Sequence, residues 1–145
     1  MAILKDNNMT PVKESYRWGV LFDGSAIAEK VLKKTLAMIA DQDRLSIITV
    51  VEQGMDKTSI LPKVQAGCGN RTFDSVILEN QPNKTIKERI KEYLREQAES
   101  EFYVDFVCVG NRGINMGNAV DGDNYMGSVA SSMIGMRQLN VIFVP

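Results

Sequence analysis

Two hydrophobic periods share this chain. Five short runs are almost continuous in apolar and β-branched residues: 16–22 (YRWGVLF), 45–51 (LSIITVV), 73–78 (FDSVIL), 105–109 (DFVCV) and 140–144 (NVIFV). Runs of this length read as strands, and unbroken apolarity suits strands covered on both faces, as in a parallel sheet. Between them, apolar residues recur at helical spacing. After the first strand, Ile27, Val31, Leu32, Leu36 and Ile39 share one face, while Glu29, Lys30, Lys33 and Lys34 make a solvated one. Ser25 is placed to cap this helix, with Glu29 near its first turn. A second stripe, Ile86, Ile90, Tyr93, Leu94 and Ala98, starts from Thr85 and Glu88, a T-x-x-E capping box. It reads as sheet-facing core, with Glu92, Arg95 and Glu99 on the opposite face. Residues 127–133 open a further helix. The stretch 52–71 is weaker: residues 55–64 suit a short helical piece that Pro62 interrupts, and 66–70 (AGCGN) reads as a turn.

The order β-α-β-(short helix or loop)-β-α-β-α-β predicts an α/β fold: a doubly wound, five-stranded parallel sheet with right-handed crossovers and helices on both faces. Residues 1–14, polar and broken by Pro11, read as a flexible leader, which leaves 15–145 as one domain. Ligands of such sheets bind beyond the carboxyl ends of strands, where the strand order reverses. Asp23 and Gly110 both follow predicted strands. If those strands are neighbours across the reversal, the two residues line one crevice.

Composition narrows the function classes. A net charge of −1 and a pI near 5.5 argue against nucleic-acid binding. No apolar run approaches the ~20 residues of a membrane span, and the first residues are too weakly apolar for a secretory signal. Cys68 and Cys108 have no metal-ligand spacing; Cys108 lies inside a strand and reads as core. A reducing, cytoplasmic setting fits. The chain has no histidine, which excludes histidine-dependent triads and histidine metal sites.

The candidate chemistry lies between residues 105 and 132. A strand leads into a loop holding Gly110, Gly113, Gly117, Gly122 and Gly127, and Gly127-Ser128-Val129 opens a helix. Glycines let backbone N–H groups approach an anion closely. The helix start adds donors and a favourable dipole. The segment is either a phosphate loop or a plain turn. It is not a Rossmann fingerprint, because the first strand is followed by DGSA, and no G-x-x-x-x-G-K-[ST] is present. Ser128 lacks the flanks of a nucleophile elbow.

Taken together, these residues resemble the universal stress protein family, over most of the chain from Tyr16 to Val144. The resemblance is carried by Asp23-Gly24-Ser25, Thr49-Val50-Val51-Glu52, residues 105–113 (DFVCVGNRG), Gly127-Ser128-Val129-Ala130 and the closing NVIFVP. It implies strand order 3-2-1-4-5 and a homodimer. The wholly apolar residues 141–144 at the sheet edge are the surface for that dimer. For the ATP-binding branch it implies G-x-x-G, nine residues, then G-[ST].

Carried over by position, Asp23 holds ribose hydroxyls and Val50 contacts adenine, through its backbone. Gly110 and Gly113 let the backbone approach ribose and phosphates. Gly127, Ser128 and Val129 bind phosphate at the last helix. Arg112 is either a phosphate contact or a solvated loop residue. Asp23 and Ser128 also suit plain capping roles, and Val50 plain core.

The implied ligand is ATP with Mg²⁺, and the implied function is ATP binding in stress response or signalling with slow or no hydrolysis. The alternative is a dimeric stress protein of the non-ATP branch that acts through protein contacts. An efficient ATPase ranks last, for want of a histidine base and a phosphate-loop lysine. The chain departs from the family pattern in two places. Thirteen residues, 114–126, stand where the motif expects nine, and they include Asp121 and Asp123, read as turn residues or Mg²⁺ ligands. The family's second helix is shortened or missing.

Overall fold

The computed structural model describes residues 14–51, 57–98, 100, 103–110, 128–133 and 139–145. The expected leader therefore lies outside the described residues, apart from Glu14. Five strands form one sheet: β1 (Arg17–Leu21), β2 (Arg44–Val51), β3 (Asp74–Glu79), β4 (Phe106–Gly110) and β5 (Asn140–Val144). Their order is β3-β2-β1-β4-β5, and every pairing is parallel. The described helices are α1 (Ala26–Met38), α2 (Ile60–Cys68), α3 (Ile86–Ala98) and α4 (Ser128–Met133). A 3₁₀ turn, Lys57–Ser59, leads into α2. Among the described residues no helix is long and apolar enough to cross a membrane.

Alternation along the strands sorts the core into two layers. Trp18, Val20, Phe22, Leu45, Ile47, Cys108 and Val144 pack with Ala28, Val31 and Leu32 of α1 and Val64 and Cys68 of α2. The intervening residues Leu21, Ile48, Leu78, Val107 and Val109 pack with Ile90 and Leu94 of α3 and Ala130 and Met133 of α4. Helices thus cover both faces, as the continuous apolar strands require. Val20, Val31 and Val107 are wholly buried, and each such side chain contributes about 1.5–3 kcal/mol.

The helix starts form as their sequences dictate. Ser25 caps α1: its Oγ accepts from the Ala28 N–H at 3.1 Å. At α3 the Thr85 N–H donates to Glu88 Oε2 at 2.6 Å, and the Glu88 N–H donates back to Thr85 Oγ at 3.3 Å. Those bonds from Thr85 hold the Glu88 carboxyl below its ordinary pKa.

At the amino end of the sheet, Asp43 ties three segments together. Its Oδ1 accepts from the Tyr16 N–H at 2.8 Å, and its Oδ2 accepts from Trp18 Nε1 and from the Ala40 N–H, both at 3.0 Å. Arg71 Nη2 donates to the Ala40 and Asp43 carbonyls at 2.8 and 2.7 Å. Trp18 stacks on Phe106 with centroids 4.6 Å apart, and Tyr16 meets the same ring edge-on.

Residues 57–71 differ from the sequence reading. α2 is a nine-residue helix that runs through Pro62 instead of breaking there. Pro62 is the third helical residue, in the first turn, where a missing N–H removes no intrahelical bond. The turn expected over 66–70 begins only at Gly69, whose φ of +59° ends the helix. Gly67 is inside α2 because a Cβ there would lie 2.7 Å from Leu32 Cδ2. The small residue lets α2 lie close against α1. α2 covers the sheet through Val64 and Cys68.

Candidate functional site

Parallel strands all point their carboxyl ends to one edge, and the strand order reverses between β1 and β4. The condition for a shared crevice is therefore met: β1 and β4 are hydrogen-bonded neighbours, with Val20 level with Cys108. Continuing that register brings Phe22 level with Gly110 and places Asp23 just beyond. Gly110 is half-buried, ends β4 and pairs with Val144.

Asp23 is exposed. Its Oδ1 accepts from the Ser25 N–H at 2.9 Å, which bends the chain from β1 into the cap of α1. Gly24 between them sits at φ +82°, a conformation that glycine takes without strain. The capping role foreseen for this turn is thus real, and it orients the Asp23 carboxylate at the edge of the sheet.

Val50 lies one strand over, near the end of β2 and level with Leu78. It is half-buried, with its side chain against the α3-side core. Ser128 begins α4, and Val129 packs half-buried against the same core. Arg112, Gly113 and Gly127 lie outside the described residues, as do Asp121 and Asp123.

One side of this edge is formed by α2. Lys63 Nζ donates to the Gly24 carbonyl at 3.1 Å, and Ile60 Cδ1 lies 4.0 Å from where a Gly24 Cβ would be. The available signal was Pro62 itself: a proline soon after Thr58-Ser59 marks a helix start as readily as a break.

Burial pushes the thiols of Cys68 and Cys108 up, against the opposing pulls of Arg71 on the first and Thr35 on the second. Both stay protonated at neutral pH and are poor nucleophiles. Among the described residues no group of three His, Cys, Asp or Glu side chains is placed to hold a metal ion.

No protein-family model and no curated protein matches the sequence. Solved structures do match. A protein of the universal stress protein family from Burkholderia pseudomallei is similar at TM-score 0.61 and 20% identity, over 93% of this chain and 99% of that one. A universal stress protein solved in complex with cAMP is similar at TM-score 0.59 and 19% identity, over 89% and 96%. The universal stress protein of Archaeoglobus fulgidus gives TM-score 0.55 at 15% identity, over 98% and 99%. At these identities the likeness is one of architecture, and it spans nearly the whole of each chain: this protein has the universal stress protein fold.

Proposed function

We propose that this protein binds ATP, together with Mg²⁺, at the carboxyl ends of β1 and β4, and acts in stress response or signalling with slow hydrolysis or none. The observation that carries the reading is the adjacency of β1 and β4 at the strand-order reversal. It sets the exposed Asp23 carboxylate and the half-buried Gly110 on one edge. The similar fold solved in complex with cAMP, an adenine ribonucleotide, supports the same ligand class.

In this reading Asp23 accepts hydrogen bonds from ribose hydroxyls, which a carboxylate can do with two donors at once. The backbone of Val50 meets adenine. Gly110 and Gly113 admit the backbone to ribose and phosphate. Arg112, Gly127, Ser128 and Val129 hold the phosphates, and Mg²⁺ offsets the charge of Asp121 and Asp123 beside them. Slow turnover follows from the lack of a histidine base. A reducing, cytoplasmic setting belongs to the same reading, and the two free, buried thiols are compatible with it.

Calorimetry with Mg²⁺-ATP tests the site. Wild type should release heat on binding, and Gly113→Val should abolish it by blocking backbone approach. Equal affinity in the variant overturns the assignment.

A second reading is favoured by the thirteen residues between Gly113 and Gly127: a dimeric protein that acts through protein contacts and leaves the crevice without nucleotide. It predicts no heat with ATP and no nucleotide in the mass spectrum of the purified protein. Both readings include a homodimer through β5, the last strand of the sheet, where Val141, Ile142 and Phe143 remain only half-buried.

A further inference from the structure

We propose that Lys63 is a positioning residue for the crevice: it holds the Asp23-Gly24-Ser25 turn in the geometry that presents the Asp23 carboxylate to ribose. The inference rests on the nucleotide-binding reading and deepens it.

Three observations meet at this turn. Asp23 Oδ1 accepts the Ser25 N–H at 2.9 Å, so the carboxylate and the turn backbone move as one unit. Gly24 holds φ +82°, a glycine conformation with many accessible neighbours, so the turn needs an outside restraint. Lys63 supplies that restraint across 39 residues of sequence, with its ammonium 3.1 Å from the Gly24 carbonyl. A charged donor makes a stronger bond than a neutral one.

Lys63 stands on a helix packed closely against α1. α2 is seated on α1 by the close approach of Gly67 to Leu32 and by the buried side chains of Val64 and Cys68. Ile60 backs the same turn from the previous helical turn. The stem of Lys63 is exposed and buries little, so its role is geometric more than cohesive.

The consequence is specific to the sugar. If Lys63 acts through Asp23, its loss weakens only ligands that carry ribose hydroxyls. If it touched phosphate directly, its loss would weaken all nucleotides alike. The experiment is calorimetry of wild type, Lys63→Met and Lys63→Arg with Mg²⁺-ATP and with Mg²⁺-2′,3′-dideoxy-ATP. Lys63→Met should bind ATP about three- to tenfold more weakly, the size of one net hydrogen bond. It should bind the dideoxy ligand as wild type does, and Lys63→Arg should retain most ATP affinity. Melting temperatures should agree across the three proteins, which separates positioning from folding.

An equal loss for both ligands overturns the proposal, and so does unchanged ATP affinity in Lys63→Met. If wild type itself gives no heat with ATP, the nucleotide reading fails and the role of Lys63 falls with it. That outcome is distinct from a wild type that binds and a variant that binds equally.

Discussion

Replacing Asp43 by asparagine should remove one of the strongest polar restraints in the fold. The carboxylate accepts three N–H donors, from Tyr16, Trp18 and Ala40, at 2.8 to 3.0 Å. An asparagine side chain keeps one oxygen and presents an NH₂ group where the other oxygen stood. Whichever way it turns, that NH₂ faces at least one N–H donor. The best arrangement keeps the Trp18 and Ala40 bonds and opposes the Tyr16 N–H. One charge-assisted bond is then lost and two become neutral. With charged bonds at about 1.5–3 kcal/mol and neutral ones at about 0.5–1.5, one bond lost and two weakened by about 1–1.5 each should destabilise the fold by about 3.5–6 kcal/mol. That is a large share of the 5–15 kcal/mol typical of a domain.

Urea denaturation followed by circular dichroism measures the loss. At an m-value of about 2 kcal/mol/M the midpoint should fall by about 2–3 M. Trp18 is the single tryptophan and donates to the mutated group, so its fluorescence reports the local change separately.

The pH dependence is a second, independent check. Partial burial works to raise the Asp43 pKa, but the bonds from Tyr16, Ala40 and Trp18 and the charge of Arg71 together outweigh it and hold the group below its ordinary value. A depressed carboxylate stabilises the fold fully above its unfolded pKa, near 4, and the gain is lost as pH falls through the lower folded value. The stability gap between wild type and Asp43→Asn should therefore be constant from pH 7 to about pH 5 and close below about pH 4. Subtracting the variant cancels the titration of every other carboxylate. A midpoint shift under about 0.3 M, or a gap that does not change down to the acid limit, refutes the reasoning.

Gly67→Ala should destabilise by about 1–2 kcal/mol in the same assay, because strain against the buried Leu32 exceeds the gain in helix propensity; a stabilised variant would show that α2 can shift. Val141→Lys should convert a dimeric mass to a monomeric one in light scattering, since it places a charge on the edge strand β5; a wild type already monomeric at micromolar concentration counts against that interface. Amides of residues 114–126 should gain protection from hydrogen exchange when Mg²⁺-ATP is added. Identical exchange with and without nucleotide, and no heat of binding, favours the protein-contact reading.

The strands and the two long helices were legible because their signals are local. Continuous runs such as LSIITVV have no stable arrangement except between two covering layers. The caps at Ser25 and at Thr85 with Glu88 involve residues three apart, so sequence spacing alone places the bonds. Asp43 was invisible for the opposite reason. Its partners Tyr16 and Trp18 lie 27 and 25 residues away, and only the sheet register brings them together. α2 is harder to read because Pro62 and Gly67 both carry breaker signals. Pro62 occupies a first-turn position that needs no N–H. Gly67 answers a tertiary need, the approach of Leu32, which no local pattern encodes. At the carboxyl edge, the places of Asp23 and Gly110 just after neighbouring strands were legible, but the Lys63 bond was not, because it reaches Gly24 across 39 residues.

The two ends of the sheet divide the work of the fold. At the amino end, carboxylates take up backbone donors at the start of β1: Asp43 holds Tyr16, and Asp105 Oδ2 accepts the Arg17 N–H at 2.7 Å. Arg71 joins the same cluster just after α2 closes, so this end fixes where α2 finishes. A helix held at its carboxyl end and seated along its length by Gly67, Val64 and Cys68 has little freedom left at its amino end. That amino end is where Ile60 and Lys63 reach the Asp23 turn. The restraints on the crevice thus come partly from hydrogen bonds at the opposite pole, through a rigid helix and not through a flexible loop. The carboxyl edge can then leave Asp23 exposed and Gly110 half-buried at little risk to stability, because the cohesion of β1, β2 and β4 is secured elsewhere.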